Sequence, residues 1–314
     1  MKAILILCVL VGVLAAVASP QLEALKDSWR TEKAALPKSV EEWRNWREGD
    51  KATLKAAVET AAPMNPFLVT RLVEGRRADH AVVAIGGSGE TLDSIYHSQG
   101  RHFESDGFTV LMVEMPPDDI ARICLERGTS YLGYATAALL PELKKLRGRC
   151  RGVIWSGFSL GTELMMSAAT LDSAPADVFI YNDFLCRSKE RLIVLDFEPN
   201  GMRNLTPRYF LERDFPERML ALSDHPIIFT EGGLDRDFDI VRSIFPDNVT
   251  CLHQPRYRDV ARSRLAELPR HLSYAEYFRL CNVDPANHYY KIEVALVWLK
   301  KIVDSEGVAK TSAF

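Results

Sequence analysis

Short, continuous apolar runs punctuate the chain, separated by stretches in which apolar residues recur every three or four positions. Ala81-Val82-Val83-Ala84-Ile85 ends in Gly86-Gly87, Thr109-Val110-Leu111-Met112-Val113 ends at Glu114-Met115-Pro116, and Gly152-Val153-Ile154-Trp155 leads into Ser156-Gly157. Val178-Phe179-Ile180-Tyr181 and Pro226-Ile227-Ile228-Phe229-Thr230 repeat the pattern, and residues 249–253 form a weaker sixth run. Runs that are apolar at every position, not at alternate ones, predict strands buried on both faces, as in a parallel sheet. Helical spacing predicts helices over residues 131–146 (with Leu139, Leu140, Leu143 and Leu146), 160–170 and 289–303. Strand and helix in alternation predict an α/β fold with a doubly wound, mostly parallel sheet. Ligands of such sheets gather at the carboxyl ends of the strands, so the loops after the strands are where chemistry is sought.

Residues 21–62 are helical in character, with Trp29, Leu36, Trp43 and Trp46 spaced along them and Pro37 as a break. They predict an N-terminal helical arm, residues 19–66, packed on a main domain of residues 67–314. No internal repeat, low-complexity stretch or Gly/Ser linker divides that domain. The first eighteen residues differ: Met1-Lys2 is a short basic start, residues 3–18 are apolar throughout, and Ala16-Val17-Ala18 has the small-x-small form of a cleavage site. This predicts a secretory signal peptide over residues 1–18 and an exported mature chain, extracellular, periplasmic or in an endomembrane lumen. An uncleaved anchor is the alternative, although the run falls short of the ~20 apolar residues that a spanning helix wants. No other stretch is apolar enough to span a bilayer.

Composition narrows the classes. With 314 residues, 47% hydrophobic and 26% charged, the chain is globular, which excludes disorder, collagen and coiled coil. A net charge of −3 lacks the basic excess of nucleic-acid partners. Export permits disulfides, but Cys124, Cys150, Cys186, Cys251 and Cys281 are odd in number, so at least one thiol stays unpaired and the pairing is open. No two have C-x-x-C spacing, which argues against a redox motif or zinc knuckle; buried small hydrophobes are the other reading. Asn204-Leu205-Thr206 and Asn248-Val249-Thr250 match the glycosylation acceptor pattern, the first weakened by Pro207.

Three loops hold groups able to work together. After the third run comes Gly157-Phe158-Ser159-Leu160-Gly161, a Gly-x-Ser-x-Gly pattern between a buried strand and a helix. A nucleophile on a strained tight turn needs neighbours without side chains, so that strand and helix pass closely. The plainer reading is a strand-to-helix turn with Ser159 as helix cap. After the fifth run, Glu231-Gly232-Gly233-Leu234-Asp235 offers an acid, with Asp237, Asp239 and Asp183 as alternatives and a simple turn role as the plain reading. Downstream histidines are His253, His271 and His288; His288, in Asn287-His288-Tyr289 before the last helix, is favoured as base, His271 is second, and His253 falls within or at the end of a strand. The order Ser, acid, His matches a nucleophile elbow with its partners. The Gly86-Gly87-Ser88-Gly89-Glu90 loop is a natural source of backbone N–H donors, as is Leu160 after the serine. That loop lacks both the Gly-Lys-Ser/Thr ending of a phosphate loop and the dinucleotide spacing, and there is no His-Glu-x-x-His, so neither cofactor nor metal is expected.

On these motifs, Gly157-x-Ser159-x-Gly161, Gly232-Gly233-Leu234-Asp235 and Asn287-His288, the chain resembles the α/β-hydrolase superfamily from about residue 67 to 303, and within it the acetylxylan esterase and dienelactone hydrolase type. Two positions depart from the family pattern: Ile85-Gly86 stands where many members carry His-Gly, and Thr162 where a second Gly is common. The resemblance implies a serine esterase with Ser159 as nucleophile, Asp235 as acid and His288 as base. It further implies oxyanion donors at Leu160, Gly87 and Ser88, acting on a small-molecule or polymer-borne ester. A serine peptidase on the same fold, or a non-catalytic hydrolase scaffold used for binding, are the rival readings. Residues 185–221 lie where such folds insert a cap, and their Phe197, Tyr209, Phe210 and Phe215 serve either a pocket or the core. Residues 254–287, with Arg256, Arg258, Arg262 and Arg264, read as a solvated loop or as a flap beside His288.

Overall fold

A computed structural model describes residues 40–182, 225–230, 249–251 and 288–311. The apolar runs form β2 (His80–Ile85), β3 (Thr109–Val113), β4 (Gly152–Phe158), β5 (Val178–Asn182), β6 (Ile227–Phe229) and β7 (Val249–Cys251). With β1 (Thr70–Val73) they make a seven-stranded sheet in the order β1-β3-β2-β4-β5-β6-β7. All neighbours are parallel except β1, which closes the edge antiparallel to β3 with Thr70 opposite Val113. Every residue of β2, β3 and β5 is buried, which explains their unbroken apolar pattern.

Seven α-helices flank the sheet: α1 (Val40–Ala61), α2 (Leu92–Ile95), α3 (Arg101–Ser105), α4 (Asp118–Glu126), α5 (Tyr131–Arg147), α6 (Leu160–Leu171) and α7 (Ile292–Thr311), counted among the described residues. A π-turn, Tyr96–Gly100, joins α2 to α3. The pleat sends alternate strand residues to opposite faces. Val83, Ile85, Val153, Trp155 and Phe179 pack against α5 and α6, with Leu54 of α1 in the same cluster. Val82, Ala84, Ile154, Val178 and Ile180 pack against Ile95, Phe103 and the Ala295, Trp298, Leu299 and Val303 face of α7. Helix α1 lies on α5 so closely that a Cβ on Gly133 would stand 2.6 Å from the Ala57 carbonyl oxygen. The Thr60 and Thr129 hydroxyls meet at 3.2 Å beside that contact.

At the far end of the sheet, Asp177 is fully buried and gathers five donors: both terminal nitrogens of Arg147, the Val153 and Ala174 amides, and the Trp155 indole N–H. This fixes β4 and the approach to β5 relative to α5. At the opposite end, β3 lies on one side of β2 and β4 on the other. The crevice at a reversal of strand order opens between the carboxyl ends of β2 and β4.

The sequence pattern missed β1 and the helices at 92–105 and 118–126. Strand β1 is a half-exposed edge with Arg71 in its middle, so it shows no apolar run. Helix α7 starts at Ile292 and not at residue 289, because residues 288–291 are held by side-chain and backbone contacts of a different kind, described below. The proposed signal peptide, the arm before residue 40, the 185–221 and 254–287 segments, Asn204, Asn248, Cys186 and Cys281 lie outside the described residues. Cys124 is a buried free thiol and Cys150 a half-buried one. Among the described residues no helix is long and apolar enough to cross a membrane.

Candidate active site

Strand β4 passes to α6 through a single residue, Ser159, at φ +50° and ψ −123°. A positive φ costs a residue with a side chain on the order of 1–3 kcal/mol, so its surroundings must impose it. The Ser159 amide donates to the Asn182 carbonyl oxygen at 2.9 Å, while the Ser159 carbonyl accepts from the Thr162 amide at 2.9 Å and the Thr162 hydroxyl at 2.6 Å. The flanking glycines allow the turn to close. A Cβ on Gly157 would lie 2.8 Å from Thr162 Cα, where strand passes helix. A Cβ on Gly161 would lie 2.5 Å from the Gly86 carbonyl oxygen and 2.6 Å from that of Ile85, where the helix meets the end of β2. Ser159 occupies the N-cap position of α6, but its side chain makes no capping hydrogen bond there.

The glycine loop after β2 lies against this turn. A Cβ on Gly87 would stand 3.1 Å from Ser159 Cβ and 3.1 Å from the Phe158 ring. The Gly87 amide donates to Glu90 Oε2 at 2.6 Å, and the Ser94 hydroxyl donates to Glu90 Oε1 at 3.1 Å. The amide of this loop glycine is thus turned toward a carboxylate, a partner that the sequence pattern did not announce. Ser88 is exposed. Leu160 is half-buried and is the first residue of α6, where backbone N–H groups have no intrahelical acceptor.

His288 comes to the same place from the other end of the chain. Its half-buried ring stacks on Phe158, the residue before Ser159, with centroids 4.7 Å apart and planes inclined by 27°. Two residues on, the buried Tyr290 hydroxyl meets Ser156 Oγ at 2.5 Å, and Ser156 in turn donates to Gln99 Oε1 at 2.7 Å. Burial pushes the Tyr290 phenol well above its ordinary range, against the opposing pull of the Ser156 hydrogen bond, so it stays neutral and can donate. Sequence reasoning overlooked Ser156, Gln99 and Tyr290. The available signal was a polar residue at a strand position that the pattern buries: Ser156 follows Ile154 and Trp155 in β4.

Ser159, Gly87, Leu160 and His288 therefore share one end of the sheet. Asp235 and the alternatives Asp183, Asp237 and Asp239, together with His253 and His271, lie outside the described residues. Among the described residues, no three or more His, Cys, Asp or Glu side chains are grouped so as to hold a metal ion.

Comparisons with known proteins agree with this architecture. The model of the Abhydrolase family matches residues 98–301. Among solved structures, the chain is similar to a Bacteroides fragilis NCTC 9343 protein provisionally assigned as an acetyl xylan esterase. That likeness has a TM-score of 0.72 and 26% identity over 89% of this chain and 94% of the other. One of the metagenome-derived lipolytic enzymes LipS and LipT is more distant, with a TM-score of 0.41 and 12% identity over 74% of this chain and 97% of its own. No curated protein sequence matches the chain.

Proposed function

The chain belongs to the Abhydrolase family, and on that premise we propose that it is an exported serine hydrolase that cleaves carboxylic esters through an acyl-enzyme. The observation that carries this reading is Ser159 itself: a serine at φ +50° on a strand-to-helix turn, its side chain not used as a cap, with the His288 ring stacked on the preceding residue. Strain of this kind persists only where the fold imposes it, and in a nucleophile elbow it serves to expose the hydroxyl at the carboxyl end of the sheet.

In the proposed cycle His288 takes the Ser159 proton as the hydroxyl oxygen attacks the ester carbonyl. Asp235 holds the imidazole in the tautomer that can accept that proton and stabilises the imidazolium. The oxyanion of the tetrahedral intermediate is met by the Leu160 N–H and by a donor from the Gly87-Ser88 loop, each worth a factor of about 10²–10³ in rate. The Gly87 amide takes this part once it leaves Glu90. His288 then protonates the departing alcohol, and water repeats the sequence to free the acid. The Bacteroides fragilis structure supports a short-acyl ester carried on a carbohydrate or a small molecule as the substrate class.

The test is hydrolysis of p-nitrophenyl acetate and its longer-chain homologues by the mature chain and by Ser159→Ala. The expected result is turnover favouring short acyl chains and a fall of at least about 10³-fold in kcat for Ser159→Ala, with thermal unfolding unchanged. Turnover within a few-fold of wild type in folded Ser159→Ala would exclude Ser159 as nucleophile.

A further inference from the structure

Asn182 ends β5 and is fully buried. Among the described residues, its hydrogen bonds run to three separate parts of the chain. Its backbone carbonyl accepts the Ser159 amide at 2.9 Å, across the β4–β5 register in which it lies opposite Phe158. Its side-chain oxygen accepts the Thr230 hydroxyl at 2.6 Å and the Lys291 amide at 2.8 Å. Its side-chain nitrogen donates to the Tyr289 carbonyl at 3.4 Å. Thr230 lies just beyond the end of β6, five positions before Asp235 in sequence, and its own amide donates to the Tyr181 carbonyl at 3.0 Å. Tyr289 and Lys291 lie one and three positions after His288, on the segment that leads from it into α7.

We propose that Asn182 is a positioning residue that ties the nucleophile turn, the strand end leading to Asp235 and the His288 segment to one point. The inference rests on the assignment of Ser159 and His288 given above. Its physical basis is the amide group. Asparagine accepts and donates from one short, stiff side chain, so a single buried residue serves two donors and a carbonyl at once. A carboxylate at this position accepts but does not donate, and an apolar side chain of the same size leaves the Thr230 hydroxyl and the Lys291 amide without this acceptor. The connection is also short: Tyr289 directly follows His288, so movement of the Tyr289 carbonyl moves the imidazole. Misplacement of a catalytic group by about 1 Å lowers turnover by about 10²-fold without altering the groups that bind substrate.

The experiment measures p-nitrophenyl acetate hydrolysis by wild type, Asn182→Ala, Thr230→Val, Thr230→Ser and Ser159→Ala. Each rate is divided by the number of sites that a fluorophosphonate titrates to completion, so that misfolded protein is not counted; Ser159→Ala, which lacks the titrated hydroxyl, is referred to total folded protein. Asn182→Ala is expected to lower kcat per titrated site by about 10²-fold and to slow fluorophosphonate labelling by a similar factor, with KM changed by less than about threefold. Thr230→Val is expected to fall in the same direction by about tenfold, and Thr230→Ser, which keeps the hydroxyl, to recover toward wild type. A purely structural role would lower the titrated fraction and the unfolding temperature and leave kcat per titrated site unchanged, and that result overturns the proposal. If Asn182→Ala yields no titratable sites, Thr230→Val against Thr230→Ser decides by the same criterion. The Ser159→Ala arm separates the two claims: full activity there removes the underlying assignment, whereas an inactive Ser159→Ala beside an unimpaired Asn182→Ala removes only the positioning role.

Discussion

Adding one methyl group at Gly161 tests whether the close passage of α6 over the end of β2 serves the nucleophile. The Cβ of Gly161→Ala would stand 2.5 Å from the Gly86 carbonyl oxygen and 2.6 Å from that of Ile85, both backbone atoms with no rotamer to escape into. Ordinary contact begins near 3.4 Å, so helix and strand must separate by about 0.9 Å. Overpacking of this size costs typically about 1–3 kcal/mol. It acts between Ser159 and the Gly86-Gly87 loop, so it also moves the serine relative to the loop's donors. A displacement near 1 Å is expected to lower kcat by about 10²-fold. The assay pairs thermal unfolding with p-nitrophenyl acetate kinetics, using Gly148→Ala at the end of α5 as control, where a Cβ would meet nothing closer than 3.4 Å. Gly161→Ala with the activity of Gly148→Ala would refute the reasoning, since the passage would then be loose enough to admit a side chain.

Three further predictions follow from the geometry. Asp177→Ala leaves the Arg147 guanidinium, two strand-side donors and the Ala174 amide without their buried acceptor. It should cost about 3–5 kcal/mol, read as a fall in unfolding temperature of roughly 6–15 °C. The hydrogen bond from Arg77 holds the Asp79 carboxyl well below the usual carboxylate range, with burial opposing and His80 assisting. A depressed carboxyl stabilises the fold above its unfolded value of about 3.9 and loses that contribution as pH falls toward its folded value. The urea-midpoint gap between wild type and Asp79→Asn should therefore be wide at pH 7 and narrower at pH 3; an equal gap at both would contradict it. Burial pushes the Cys124 thiol up to about 11, so iodoacetamide at pH 8 should spare it in the native protein and alkylate it after unfolding, as read by peptide mapping.

The central strands were legible because burial on both faces leaves a run of apolar residues, a condition that β2, β3 and β5 meet over their length and β4 up to Gly157. Helix α5 was legible because Leu139, Leu143 and Leu146 recur at helical spacing, and α6, buried continuously from Gly161 to Thr170, because it follows the Gly-x-Ser-x-Gly turn. Edge strand β1 and the short α2 escaped because their residues are shared between protein and solvent, so neither period is strong. At the site, Ser159, the glycines around it and His288 stood out through a local motif and its order along the chain. Asn182, Ser156, Gln99, Tyr290 and Glu90 did not, because what they do depends on partners far away in sequence: Tyr290 reaches Ser156 across 134 positions, and Asn182 reaches Lys291 across 109. A polar residue at the end of an apolar run is the trace such a role leaves, but it does not name the partner.

The measurement that bears most directly on the account is fluorophosphonate labelling of the purified protein, with the modified residue located by mass spectrometry. The account predicts a single adduct on Ser159, lost in His288→Ala and retained in His271→Ala. A folded protein that takes no label, or takes it at another residue, would contradict the assignment of a working serine nucleophile to the turn between β4 and α6.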